Sequence, residues 1–399
     1  MHKVWFVNRY FHPDGSATSN ILSQLATHLA ERGWQCGVVT SRQLYEAPRA
    51  DLPRAESWRG VHIYRLPATR FGRTNIFGRA LDYFTFYLAA VWYVVRHVRP
   101  GDTVVAKTDP PMLGLALALP CWLRRARLIN WLQDIFPEIA SRLSTSRVLA
   151  LTLAGLRPLR DFGLRRAGAN VVVGRCMQEY LAARHIPSKI ICNWADEENV
   201  RPAARLQNPL RQTWGLGNSF VVGYSGNFGR AHVFEAVAAA GAKLAGANDL
   251  IFLMIGGGKQ FQALQQMAHA SGFENWMFRP YQPASVLSDS LGAADVHLVT
   301  QHPELSGVVV PSKWYGIAAA GRPAIFIGPR DAEIARVIAE EQCGWQLDPG
   351  DADGLFNLLN ECRSNLAECA RRGARAREAY ERRFRRELSF AAWRNVIDR

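Results

Sequence analysis

Residues 306–328, SGVVVPSKWYGIAAAGRPAIFIG, gather the side chains of this chain best suited to chemistry. Gly307 and a run of valines that includes Val309 and Val310 lead into Pro311-Ser312-Lys313. A helix-forming stretch, Trp314 to Ala320, is stopped by Gly321-Arg322-Pro323 and gives way to an apolar strand, Ala324 to Ile327. Glycine suits the end of that helix because it reaches left-handed dihedrals cheaply. Backbone amides at a helix start, with a lysine beside them, make an anion site. A phosphate-bearing ligand is the natural guest, which points to a nucleotide-dependent enzyme rather than a bare binding module.

Other segments compete for the same chemistry. Phe11-His12-Pro13-Asp14-Gly15-Ser16-Ala17-Thr18 joins a first strand to a first helix, where open parallel sheets bind ligands, although an ordinary turn uses the same residues. Gly223-Tyr224-Ser225-Gly226-Asn227-Phe228-Gly229-Arg230 resembles a phosphate loop without matching GxGxxG, and Arg230 is either a diphosphate contact or a solvated surface arginine. Gly256-Gly257-Gly258-Lys259 lacks the Ser or Thr of a Walker loop and reads as a turn. Asp348 to Gly354 lacks the closing glutamate of a calcium loop and reads as a helix cap, so no metal is expected. In Trp131-Leu132-Gln133-Asp134-Ile135-Phe136-Pro137-Glu138, two carboxylates follow a strand, placed either for acid–base work or for helix capping. His232 and Glu304 are further candidates.

Elements of alternating type must position these groups. Strands are expected at Val4–Asn8, Gln35–Thr40, Thr103–Ala106, Leu128–Trp131 and Asn170–Val173, with an amphipathic helix at Ala17–Arg32. A second series runs through Phe220–Tyr224, Ile251–Ile255, Trp276–Phe278, Val296–Val299 and Ala324–Ile327. Short β-rich runs between helical patterns predict an α/β protein with two Rossmann-like parallel-sheet domains. The polar, proline-bearing stretch 191–218 is the expected linker. The domain boundaries are set at 1–198 and 199–379, with a C-terminal helix of about 380–399 expected to pack back on the first domain.

Composition narrows the partners. At 48% hydrophobic and 21% charged residues, the chain is globular rather than disordered. Seven cysteines, an odd number without a CxxC pair, argue against a disulfide framework or a metal cluster. No signal peptide precedes the first strand, so a cytoplasmic location is expected. The net charge of +14 is concentrated in residues 1–200, where 26 Lys and Arg face 15 Asp and Glu. That favours an anionic partner, yet no nucleic-acid motif accompanies it. Leu81–Val95 and Met112–Leu123, the latter followed by Arg124-Arg125-Ala126-Arg127, are too short for a confident membrane span. They are either buried helices or an interfacial surface on anionic lipid.

Taken together, FHPDGSAT, WLQDIFPE, VGYSGNFGRAH, FLMIGGGK and VVVPSKWYGIAAAGRP resemble the GT-B glycosyltransferases of family 4, in the colanic-acid and O-antigen branch that includes fucosamine transferases. The resemblance implies two Rossmann-like domains facing a central cleft, with acceptor bound by the first and nucleotide-sugar by the second. It implies a metal-independent, retaining enzyme with no cofactor, moving a sugar from a nucleotide-sugar, UDP by preference, to a polyprenyl-diphosphate-linked saccharide at the inner membrane face. By the same resemblance, Arg230 and Lys313 contact the diphosphate, and Gly15 with Ser16 approaches it from the first domain. Gly226, Asn227, Gly307 and Ser312 join the donor site, Val309 and Val310 offer backbone amides, and Tyr281 and Gln282 hold the base. Asp134 stands on the acceptor side as a candidate base. Glu304 matches the first of a glutamate pair usual in the family; the second falls at Gly316. The usual arginine after the second-domain glycine is replaced by Asn227, with Arg230 as the substitute. A nucleotide-sugar epimerase of the same fold and a non-catalytic scaffold of polysaccharide assembly are the alternatives.

Overall fold

The computed structural model describes residues 3–47, 49–72 and 76–398. The chain divides into two bodies, 1–192 with 390–399, and 193–389, where the sequence reading places the boundaries at 199 and about 380.

The first body is built on an eight-stranded sheet: β1 Val4–Val7, β2 Cys36–Ser41, β3 Ala55–Trp58, β4 Val61–Leu66, β5 Thr103–Lys107, β6 Arg127–Leu132, β7 Ala169–Val172 and β8 Lys189–Ile190. The spatial order is β3-β4-β2-β1-β5-β6-β7-β8. All neighbours are parallel except the β3–β4 hairpin. Strands buried on both faces read as continuous apolar runs, which is why β1, β2 and β5 are visible in the sequence. The hairpin is not visible there. Its two turn residues, Arg59 (φ +45°) and Gly60 (φ +78°), both adopt left-handed dihedrals, but Arg-Gly lacks the Asn-Gly or Asp-Gly signature of that turn. The helix Ile76–His97 covers this sheet beside the helix Leu113–Leu123, which packs in turn on the helix Arg157–Arg166.

The second body holds six parallel strands: β9 Phe220–Asn227, β10 Leu250–Gly257, β11 Trp276–Arg279, β12 Val296–Thr300, β13 Ala324–Ile327 and β14 Gly344–Leu347, ordered β11-β10-β9-β12-β13-β14. Its core is aromatic around β9 and β10, with Phe252 stacked on Trp276 and Phe228 on Phe234. Residues 390–399 return to the first body: Trp393 is fully buried with its ring centroid 4.5 Å from that of Trp131, and Arg127 donates to the Val396 carbonyl at 2.6 Å.

A buried ion pair anchors the helix Ile76–His97. Arg9, at the end of β1, is 1% exposed and meets Asp82, 0% exposed, at 3.1 Å. Asp82 also accepts the backbone amides of Phe71 and Gly72, each at 3.0 Å. Removing one partner of such a pair strands a buried charge. Asp82→Ala is therefore expected to cost about 3–5 kcal/mol in urea denaturation. The Arg9→Met/Asp82→Leu double variant should recover part of that loss, short of all of it because the two amides stay unpaired.

Candidate active site

In each sheet the strand order reverses at one point, between β1 and β5 and between β9 and β12. Ligands of open parallel sheets bind outside the strands' carboxyl ends at such points. In the second body, the residue that reaches this spot is Lys313.

Lys313 opens the helix Lys313–Ala319. Two turns sum few peptide dipoles, and Ser312 makes no side-chain cap, so a candidate anion site here rests on the lysine rather than on the helix start. Its Nζ donates to the Tyr224 hydroxyl at 2.8 Å and lies 4.5 Å from the centroid of that ring. The Tyr224 hydroxyl donates onward to the Asn227 carbonyl at 3.0 Å. On its other side, Lys313 Nζ is 3.1 Å from His232 Nε2, and His232 Nδ1 is 2.7 Å from the Thr300 carbonyl. A carbonyl only accepts, so the imidazole proton sits on Nδ1 and Nε2 accepts from the lysine. Burial, and next the Lys313 charge, push this histidine down to about 3, so it stays neutral. Burial pushes Lys313 itself down to about 7. Among the described residues no carboxylate pairs with it. Two of its three hydrogens are engaged by neutral groups, and the third is available to an anion.

Backbone geometry keeps the approach open. Gly226 (φ +137°) and Gly256 (φ +141°) are paired in register at the carboxyl ends of β9 and β10. A Cβ on Gly256 would stand 2.0 Å from the Gly226 oxygen, and one on Gly226 would stand 3.2 Å from Lys313 Cε. The loop after β9 is stapled at both sides: Phe228 donates to Gly257, His302 donates to Ala231, and Gln260 Nε2 donates to Gly229 at 2.7 Å.

The other donor-side candidates are placed less uniformly. Gly226 and Asn227 end β9 beside Lys313. Arg230 is exposed and makes no hydrogen bond to the Lys313 network. Glu304 is exposed on the turn Pro303–Leu305 after β12, with its amide donating to His302 Nδ1. Gly307 (φ +77°), half-buried Val309, buried Val310 and exposed Ser312 line the segment from that turn to Lys313. Tyr281 follows β11, and its ring edge lies 3.4 Å from where a Gly257 Cβ would stand. The Gln282 side chain turns back to the Pro280 carbonyl at 2.8 Å. Gly316 faces ordinary space, since a Cβ there would meet only Leu291 at 3.5 Å. Tyr224, Gln260 and Thr300 are absent from the sequence candidates; a tyrosine within an apolar strand was the available signal for the first.

The first body has its own polar cluster at the ends of β1, β5 and β6. Gly15 is exposed, whereas Ser16 is tied by its amide (2.9 Å) and hydroxyl to Asp14, which also accepts the Tyr45 amide at 2.5 Å. Lys107, the last residue of β5, is 2% exposed; it donates to the Thr18 carbonyl at 2.8 Å and lies 3.9 Å over the Trp131 ring. Burial holds its ammonium well below its ordinary pKa, and nearby Asp134 opposes that shift. Asp134 is half-buried and raised to about 6, first by desolvation, then by Asp109, against the pull of Lys107. Lys107, Asn130, Asp134 and Arg160 line one cavity of about 30 Å³, room for a water molecule. Glu138 belongs to the framework instead. It is fully buried, bound by both Arg160 nitrogens at 2.9 and 3.1 Å and by the Tyr180 hydroxyl at 2.5 Å.

Comparison with known proteins gives the family of the chain. Residues 17–194 match the family described as Glycosyl transferase 4-like domain. WcaI of Escherichia coli K12, named as a colanic acid biosynthesis glycosyl transferase, is 32% identical over 346 residues, 82% of this chain and 83% of its own length. The chain is a family 4 glycosyltransferase of the GT-B fold. WbjE of Pseudomonas aeruginosa, named as a glycosyltransferase, is 29% identical to it over 375 residues, 92% of this chain and 91% of WbjE. The solved structure of Anabaena HepE in complex with UDP-glucose overlays this glycosyltransferase with a TM-score of 0.73 at 17% identity, covering 100% of both chains.

Lys313 generates a pH prediction. An anion at its third hydrogen stabilises the charged form, so a bound diphosphate raises the lysine pKa above its free value of about 7. The sign follows from linkage: ligand binds the protonated lysine, and affinity falls as pH rises through about 7. UDP-glucose is a suitable probe because its diphosphate, esterified at both ends, has no group titrating near neutrality. Its Kd, by calorimetry, is expected to be flat below about pH 6 and to weaken roughly tenfold per unit above pH 7. Lys313→Met should bind more weakly and lose that slope; an unchanged slope contradicts the assignment.

Proposed function

We propose that this glycosyltransferase moves a sugar from a UDP-sugar, with retention of anomeric configuration and without a metal ion, to a saccharide carried on polyprenyl diphosphate. The acceptor is presented at the cytoplasmic face of the membrane, and the product enters a surface polysaccharide. The observation that carries the donor half is the Lys313 ammonium, held with no counter-ion among the described residues between Tyr224 and a neutral His232 at the switch point of the second sheet. The structure of HepE with UDP-glucose supports uridine as the base, and the colanic-acid designation of WcaI supports a polysaccharide product.

The chemistry follows from where charge develops. Departure of the nucleoside diphosphate leaves negative charge on its outer phosphate oxygens. A fixed ammonium aimed there stabilises the transition state more than the bound donor, which is the requirement for catalysis. His232 cannot supply a proton at working pH; it orients the lysine. Gly226 and Gly256 let the phosphates reach the backbone. Tyr281 beside Gly257 offers a ring to the base, and Arg230, free in solvent, closes on the diphosphate from outside. Glu304, with Gly307, Val309, Val310 and Ser312, borders the donor sugar. In the first body, Gly15 and Ser16 approach the donor phosphates and Asp134 accepts the proton of the attacking hydroxyl.

Lys313→Met is expected to lower kcat/KM by about 10²–10³, the range for a lost preorganised charge contact, with an unchanged melting profile. Arg230→Ala should cost at most about tenfold, because an exposed charge is screened. EDTA should leave turnover unaffected, and proton NMR of the product should show the donor's anomeric configuration. EDTA-sensitive turnover or inversion ends this reading. Near-wild-type activity of Lys313→Met removes the lysine from it.

Asp134 supplies a separate prediction. A base raised to about 6 must be deprotonated to act, so kcat/KM rises with pH through about 6. Asp134→Asn should abolish most activity and erase that acidic limb; a limb that persists in the variant assigns it elsewhere.

A further inference from the structure

Large apolar side chains are exposed very unevenly. Fifteen of the nineteen exposed ones among the described residues fall between Phe71 and Phe162, in the first body. The helix Ile76–His97 shows the pattern most clearly. Leu81, Phe84, Leu88, Trp92 and Val95 repeat at three- and four-residue steps and all face solvent, Trp92 at 61% exposure. Its other side, Phe86, Ala90 and Tyr93 among them, is buried against the sheet. The neighbouring helix Leu113–Leu123 turns out Leu119, Trp122 and Leu123, Trp122 at 74% exposure. The helix Arg157–Arg166, packed on that one, turns out Leu159 and Phe162. Three adjoining helices thus form one outward apolar layer, well beyond the scattered exposure normal on a monomer.

Charge on this layer has one sign. The only carboxylates on the three helices are Asp82 and Asp161; both are buried and paired, with Arg9 and Arg160. Exposed arginines gather at the helices' carboxyl ends: Arg96 and Arg99, Arg125, then Arg165 and Arg166. All three helices are crossovers between parallel strands, so those ends lie along a single edge of the layer.

We infer that this three-helix face docks on an anionic lipid bilayer, with the aromatic and leucine side chains in the headgroup–acyl boundary and the arginine edge on anionic headgroups. No described helix is long and apolar enough to cross a membrane, so the face lies on the bilayer surface. A second copy fits poorly, because two such faces brought together would oppose like charges with no acid to pair them. The inference rests on the proposed function in one respect: a lipid-linked acceptor gives the docking its purpose.

The test is sedimentation of the full chain with phosphatidylcholine vesicles, with and without phosphatidylglycerol, in the absence of donor and acceptor. Wild type is expected to sediment, more strongly with phosphatidylglycerol. A Leu88→Ser/Trp92→Ser/Trp122→Ser variant should partition at least about tenfold more weakly, given the apolar area removed. It should keep the wild-type thermal shift with UDP-glucose, which certifies its folding. Arg165→Glu/Arg166→Glu should lose only the phosphatidylglycerol increment. Failure of wild type to sediment at low salt overturns the inference, as does equal partitioning of the serine variant or a dimer in light scattering that the serine changes dissolve. Vesicle binding without transfer to any lipid-linked saccharide keeps the docking face and removes the proposed acceptor; transfer without vesicle binding does the reverse.

Discussion

Everything in the proposed donor site hangs on one unbalanced charge. A lysine partly removed from water is costly unless an acid accompanies it, and among the described residues none does. The surroundings compensate with neutral oriented groups: a phenol hydroxyl, a ring face and the lone pair of a histidine whose proton is fixed on the far nitrogen. The network ends in two backbone carbonyls, at Asn227 and Thr300, so no proton can leave along it. Only an arriving anion can complete the lysine's pairing. A diphosphate bound as proposed would return the cost of the unpaired charge, and the stapled loop after β9 keeps the geometry from relaxing in the meantime.

The two bodies use the same architecture for different ends. Each is an open parallel sheet with its polar groups beyond the strands' carboxyl ends, because covered sheet faces leave no other place for them. In the second body that position carries an uncompensated cation. In the first it carries Lys107 together with Asp134, a cation and an acid whose titrations burial moves toward neutrality while each partner opposes the other's shift. One arrangement suits holding a phosphate and the other suits trading a proton.

The repeat of strand and helix was legible in the sequence because central parallel strands are apolar on both faces. β3 and β4 were not, since an edge hairpin with a half-exposed strand and an Arg-Gly turn carries neither signal. Lys313 was legible from Pro-Ser-Lys at the mouth of a helix, and Gly226 from its loop. The partners of Lys313 were harder, because Tyr224 and His232 stand 89 and 81 residues before it and reach it only through the pairing of β9 with β12. Lys107 follows the expected strand Thr103–Ala106 with nothing in the sequence to single it out; only the fold puts Trp131 and the Thr18 carbonyl around it. Glu138 and Asp134 stand four residues apart and looked equivalent, yet Arg160 and Tyr180 lock one into the framework and leave the other to titrate.

The return of residues 390–399 to the first body has a bearing on how the protein is made. Trp393 backs the Trp131 ring that covers Lys107, and Arg127 is satisfied by carbonyls of the same returning segment. On a ribosome, the sheet of the first body emerges long before that segment. The whole of 193–389 must be synthesised in between, roughly 10–40 s at ordinary elongation rates. Through that interval the nascent first body keeps an apolar ring uncovered at its candidate acceptor site and an arginine without its partners. The second body is continuous in sequence and can close on its own. Completion of the first body therefore waits until the second has been synthesised, and its polar cluster is finished only after 390–399 have emerged.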